Sequence, residues 1–227
     1  MESVAARYAG TAMPARATAW READLCVLDF ETTGLSEDDE IIAFATVPIM
    51  DGRIHLRDTR YRFVRPSRMP DADTIVIHGL RREDLADAPP LSEVLDELLE
   101  ALTGRALVAH VASIETHFLR QALRVAGVKL TNPIIDTAEM AAELFARRSR
   151  SALEQIGLTP LAEELGLPVH RPHQADGDAL TTAQVFLALA SALDSVEPQT
   201  VGSLADLRRP NGPLGGLGRA LGRVLSG

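Results

Sequence analysis

The chain has 227 residues, 46% hydrophobic and 24% charged, which is the balance of one folded domain with short extensions and excludes a disordered chain. Its net charge of -9 gives no global attraction to polyanions, so a nucleic-acid partner would be held by local cations or by metal ions. Cys26 is the single cysteine, which excludes an intrachain disulfide framework; with no apolar run near the roughly 18 residues that span a bilayer and no secretory-signal pattern, no membrane association and a cytoplasmic protein are expected.

Residues 1–22 carry scattered charges and small residues without a clean period. They read as an N-terminal extension, packed on the domain by the lone tryptophan, Trp20. Residues 25–30 form an apolar run that predicts a buried strand. Residues 41–50 predict a second one, followed by an Asp51-Gly52 hairpin signal. Residues 53–65 alternate in part and predict a third strand, antiparallel to the second. Arg53, Arg57, Arg60, Arg62, Arg65 and Arg68 make this the most basic portion of the chain. The first reading of these arginines is a solvated edge-strand face, the second a phosphate-contacting surface. A short apolar segment over residues 75–80 is closed by His78-Gly79.

Leu91, Val94, Leu95, Leu98, Leu99 and Leu102 then fall at helical spacing, and Glu93, Asp96, Glu97 and Glu100 lie on the opposite, solvated side. Residues 106–109 and 134–135 read as short strands, each leading into a helix. The first helix stops at Gly127; Asp136-Thr137 caps the second, which runs to about residue 146. A further helix covers residues 160–165, and residues 179–193, apolar on nearly every side, predict a buried helix. The domain therefore spans residues 23–196, followed by a Gly/Pro/Arg-rich C-terminal tail over 197–227. A strand meander followed by strand–helix alternation argues for an α/β fold with a mixed sheet and helices on both faces.

The apolar run of the first strand stops at two carboxylates. Residues i and i+2 of a strand share a face, so Asp29 and Glu31 project together from its end. Adjacent carboxylates repel unless a proton or a cation lies between them. Asp178 stands at the start of the buried helix, and Glu115 at the start of the helix after the strand at 106–109. Alone, each is readable as a helix-start residue favoured by the macrodipole. Together, four acids at element termini are what a site for hard divalent cations requires.

The stretch Asp29-Phe30-Glu31-Thr32-Thr33-Gly34 and the stretch His173-Gln174-Ala175-Asp176-Gly177-Asp178-Ala179 resemble the first and third motifs of the DnaQ-like 3′-to-5′ exonucleases of the DEDDh type. The likeness covers about residues 24–190. It implies a ribonuclease H-like, mixed five-stranded sheet. It also implies two divalent metal ions, Mg2+ or Mn2+, bound by Asp29, Glu31, Glu115 and Asp178, with His173 deprotonating the attacking water. Thr32, Thr33, His78 and Gly79 would contact the terminal nucleotide. The implied substrate is a single-stranded or frayed DNA or RNA 3′ end, and the product a nucleoside monophosphate. The second motif departs from the pattern: Ala109-His110 is kept, but Val111, Ile114 and Glu115 stand where Asn, Phe and Asp are usual. Glutamate preserves the charge and extends the reach by one methylene. A catalytically weakened member of the same fold, binding nucleic acid or protein, is the alternative reading. The tail is a candidate docking segment for a polymerase or other protein partner.

Overall fold

The computed structural model describes residues 2–69, 79–147 and 157–207. His78, the apolar residues 75–77 and the chain beyond residue 207 lie outside the described residues. Strand β1 (Leu25–Thr32) is buried through its first four residues, which places it in the middle of the sheet. It pairs antiparallel with β2 (Ile41–Met50), from Leu25 opposite Ile49 to Thr32 opposite Ile41. On its other edge it runs parallel to β5 (Ala106–Ala109), which in turn pairs parallel with β6 (Ile134–Asp136). β3 (Arg53–Ile54) and β4 (Arg60–Phe63) both lie antiparallel along the outer edge of β2.

The sheet thus has six strands rather than the expected five. The third expected strand is split by a 3₁₀ turn at Leu56–Asp58. Pro48 explains the break: its carbonyl accepts the His55 N–H, but proline has no N–H to return to that edge, so the ladder is interrupted there.

Alternation along β1 divides the core in two. Leu25 and Val27 face one layer, where they meet α5 (Thr137–Arg147), α6 (Leu158–Glu164) and α7 (Ala175–Asp194). Cys26, Leu28 and Phe30 face the other layer, formed by α1 (Val4–Gly10), α3 (Leu91–Leu102) and α4 (Ala112–Val125). The short α2 (Arg82–Ala86) contributes Leu85 to a small third cluster with Ile42, Ala43 and Leu80. Trp20 is buried at 1% exposure and meets Phe186 of α7 edge to face at 5.6 Å, as its role in packing the N-terminal segment requires. The final described helix, α8 (Val201–Asp206), packs against that same segment: the N–H groups of Val201 and Gly202 donate to Thr18 and Arg16 carbonyls.

The acids of α3 differ from expectation. Arg62 Nε lies 2.9 Å from Glu97 and Arg60 Nη2 3.2 Å from Glu100, which also pairs with Arg7. Glu97 and Glu100 therefore answer the basic strand rather than pure solvent. Partners some forty residues away in sequence are invisible to a helical-wheel reading.

Candidate metal centre and active site

Asp29 and Glu31 project from β1 on the side of α7, because they share the face of Leu25 and Val27. The β1–β2 register slips between Glu31 and Thr32, so regular pairing ends at the two acids. On the facing helix the first turn of α7 supplies Asp178. The three side chains each offer one carboxylate oxygen, and these oxygens lie within 4.8 Å of one another. Among the described residues no other group of three or more potential ligands is so arranged.

The electrostatics of the cluster follow from that crowding. Burial holds the Asp29 carboxyl well above the usual range, and the charges of Glu115, Asp178 and Glu31 push it further. Glu31 is raised to about 8 by burial and by Asp178. Asp178 is raised to about 6 by burial, against the lowering effect of the His173 N–H and imidazole. Carboxylates so close cannot all ionise without a cation among them.

Glu115 comes from the first turn of α4, directly after β5. It is only 6% exposed. Burial and the Glu31 and Asp178 charges raise its carboxyl well above the ordinary range, while the Phe30 N–H works in the opposite direction. Its Oε2 is buried and lacks a hydrogen-bond partner. It stands against the cluster electrostatically but outside the set of mutually close oxygens. An all-oxygen donor set with surplus negative charge and an orphaned carboxylate oxygen fits hard divalent cations.

His173 sits in the loop before α7, exposed, with a left-handed backbone at φ +61°. Its N–H donates to Asp178 Oδ2 at 3.0 Å. The same loop is pinned by His170 N–H to Thr181 Oγ1 at 3.1 Å and by an Arg171–Asp176 ion pair. Thr32 and Thr33 begin a self-bonded loop: Thr32 Oγ1 donates to the Gly34 carbonyl, Thr33 Oγ1 to Asp39, and the Thr33 N–H to the Glu40 carbonyl. A Cβ at Gly34 would lie 2.5 Å from the Asp39 carboxylate and displace it from the Thr33 hydroxyl and the Ser36 N–H. Gly79 is exposed at φ +68°.

One residue of this neighbourhood escaped the sequence reading. Tyr61 is raised to about 12, chiefly by burial and then by the charges of Asp176 and Glu31. The register Asp29–Ala45–Tyr61 puts it on the same sheet face as the acids. A strand alternation read without pairing partners gives no sign of this.

A half-buried cluster of three carboxylates at the end of the central strand of this mixed sheet has the donor chemistry of a divalent-metal site. The chain belongs to the exonuclease family (RNase_T, Exonuclease), whose model matches residues 26–186. It carries an exonuclease domain over those residues. It is 35% identical over 193 residues to the PolC-type DNA polymerase III of Thermotoga petrophila, covering 84% of this chain and 14% of that protein. It is 34% identical over 192 residues to a DNA polymerase III subunit epsilon-like protein of Rhodobacter capsulatus, covering 83% and 27%. The 3′-5′ exonuclease DinG of Bacillus subtilis is 32% identical over 186 residues, covering 81% and 19%. The chain thus spans no more than 27% of the length of these relatives. Among solved structures, exonuclease X in complex with 5′ overhanging duplex DNA superposes with a TM-score of 0.62 at 24% identity, covering 81% of this chain and 98% of that one. A 3′-exonuclease described as recognising the 3′ end of a histone mRNA stem-loop gives 0.60 at 21% identity, covering 82% and 69%. These are likenesses of fold.

Proposed function

We propose that the domain shortens single-stranded or frayed DNA or RNA from the 3′ end, releasing nucleoside monophosphates, with Mg2+ or Mn2+ held by Asp29, Glu31, Asp178 and Glu115. The observation that carries this reading is the three-carboxylate cluster, which is too crowded for all its members to ionise near neutral pH without a cation. When bound, a metal pair activates water and neutralises charge at the scissile phosphate and the leaving 3′ oxygen. Asp29 and Glu31, rigid on β1, fix the position of the centre, and Asp178 closes it from α7. Glu115 reaches it from α4, where its extra methylene is accommodated by a direct contact or a bridging water. His173, exposed beside Asp178, accepts the proton of the attacking water. The loop from Thr32 and Thr33 and the segment at His78 and Gly79 receive the terminal nucleotide. Frayed ends are favoured because their bases leave the duplex.

The test uses single-stranded DNA, RNA and dinucleotides with 3′-hydroxyl or 3′-phosphate ends, each with Mg2+ and with Mn2+. Mononucleotide release from 3′-hydroxyl ends is expected. Glu115→Gln should lower it by about a hundredfold, whereas Glu115→Asp retains activity. Equal rates for wild type and Glu115→Gln would remove Glu115 from the site.

A non-catalytic binding module has one observation in its favour, the position of Glu115 outside the set of close oxygens. Of its two proposed surfaces, the arginines of residues 53–68 and the basic C-terminal tail, the first is weakened by the pairing of Arg60 and Arg62 to α3. As part of the same proposal the protein acts in the cytoplasm; no described helix is long and apolar enough to cross a membrane. A polymerase or other protein partner meets it through the segment after residue 207. Deleting residues 208–227 should leave turnover on short oligonucleotides unchanged, and a collapse in turnover would show that the tail belongs to the catalytic unit.

A further inference from the structure

The corner between β5 and α4 carries an unusual backbone. Val111, the residue before the helix, has φ 56° and ψ 53°, a left-handed conformation. A β-branched side chain there is strained, because Cβ crowds the following carbonyl; Asn and Gly tolerate the region far better. Val111 also has no polar side-chain atom with which to cap the helix. Something outside the corner must hold it.

The structure supplies one such group. Asp136, at the end of β6, is 3% exposed. Its Oδ1 accepts the Val111 N–H at 3.1 Å and the Ala138 N–H at 2.9 Å, and its Oδ2 accepts the Ala112 N–H at 2.8 Å. Burial raises this carboxyl, and those three N–H groups together with His110 work against the rise. A second joint lies beside it: His110 Nδ1 is 2.9 Å from Thr137 Oγ1, which reaches the Ala109 carbonyl at 3.4 Å. The two strand-to-helix corners are thus bolted together. One turn of α4 beyond the bolt stands Glu115.

We propose that Asp136 is a positioning residue for the metal centre. By accepting the Val111 and Ala112 N–H groups it replaces the cap that residue 111 cannot provide. It thereby fixes the depth at which Glu115 enters the acid cluster. This rests on the reading of Glu115 as a metal-site carboxylate given above.

Asp136→Asn keeps the shape but faces an amide N–H₂ toward backbone donors, so at least one N–H loses its partner. Three variants test the idea: Asp136→Asn, Val111→Asn, and the two combined. Each is measured for amide hydrogen exchange over residues 111–115 in metal-free protein, for the rise in Tm on adding Mn2+, and for kcat and KM on a single-stranded oligonucleotide. Asp136→Asn should speed exchange at Val111 and Ala112, shrink the Mn2+-induced rise in Tm and lower kcat by about ten- to a hundredfold, with KM little changed. Adding Val111→Asn, which supplies a tolerant residue at the corner, should restore part of each. Val111→Asn alone should raise the metal-free Tm and leave the Mn2+ response as in the wild type.

An Asp136→Asn protein with wild-type exchange and Mn2+ response would overturn the proposal. So would a changed Mn2+ response in Val111→Asn alone, a result that remains readable if Asp136→Asn does not fold. If the wild type releases no nucleotide at all, the exonuclease reading fails, while the exchange data still decide whether Asp136 holds the corner.

Discussion

Asp29→Asn is expected to abolish nucleotide release, by at least about a hundredfold, and at the same time to stabilise the metal-free protein at neutral and alkaline pH. Both effects come from one cause, the concentration of carboxylates that function demands and folding resists. In metal-free protein Glu31 keeps its proton up to about 8 when folded, against 4.5 for a free side chain. Asp178 keeps its proton to about 6, against 3.8. Through these windows the folded state binds more protons than the unfolded state. Stability is therefore greatest on the acid side and falls as pH rises through about 6 and then about 8. Divalent metal binds the deprotonated form and should reverse the trend. Melting scans in chelator and in Mg2+, across that range, check this. A chelated wild type whose Tm does not fall with pH, or an Asp29→Asn protein no more stable than it, would show that the cluster carries no electrostatic strain.

The second large effect is expected at a residue with no polar atom in its side chain. Gly177 lies in the first turn of α7, where a Cβ would sit 2.2 Å from the His170 carbonyl oxygen and 2.6 Å from that of Arg171. Both are backbone atoms, so the whole His-bearing loop must move. Gly177→Ala gains about 1 kcal/mol of helix propensity but loses about 1–3 kcal/mol to overpacking. The larger consequence is for chemistry. Moving the loop breaks the His170–Thr181 and His173–Asp178 hydrogen bonds, and a misplaced His173 should cost about a hundredfold in kcat with KM nearly unchanged. Steady-state kinetics beside a melting curve will separate the two effects. A fully active and more stable Gly177→Ala protein would mean that the loop is held by something other than its fit on Gly177.

The route by which these residues could be read from sequence explains which were found. Asp29 and Glu31 were legible because two-residue alternation is local and the apolar run that carries them ends abruptly. His173 and Asp178 were singled out through their resemblance to a family motif, and the buried α7 through its uniform apolarity. What stayed hidden depends on pairing between distant segments. The split of the third strand follows from Pro48 only once its carbonyl is known to face β3. The Arg60–Glu100 and Arg62–Glu97 pairs need the β4–α3 contact, and Tyr61 needs the sheet register. Asp136 was legible as a cap of the helix after it, which its bond to the Ala138 N–H bears out. Its hold on Val111 and Ala112 was not, because parallel β5 and β6 are joined through a whole helix.

Ala19 bridges to Thr200, and Arg16 pairs with Asp206, so the segment that leads into β1 is clasped to the last described helix. The clasp closes one long loop that contains every strand of the sheet, and the entropy of closing such a loop grows only slowly with its length. Loosening either side of the clasp therefore frees the other, which couples the order of the N-terminal segment to that of α8.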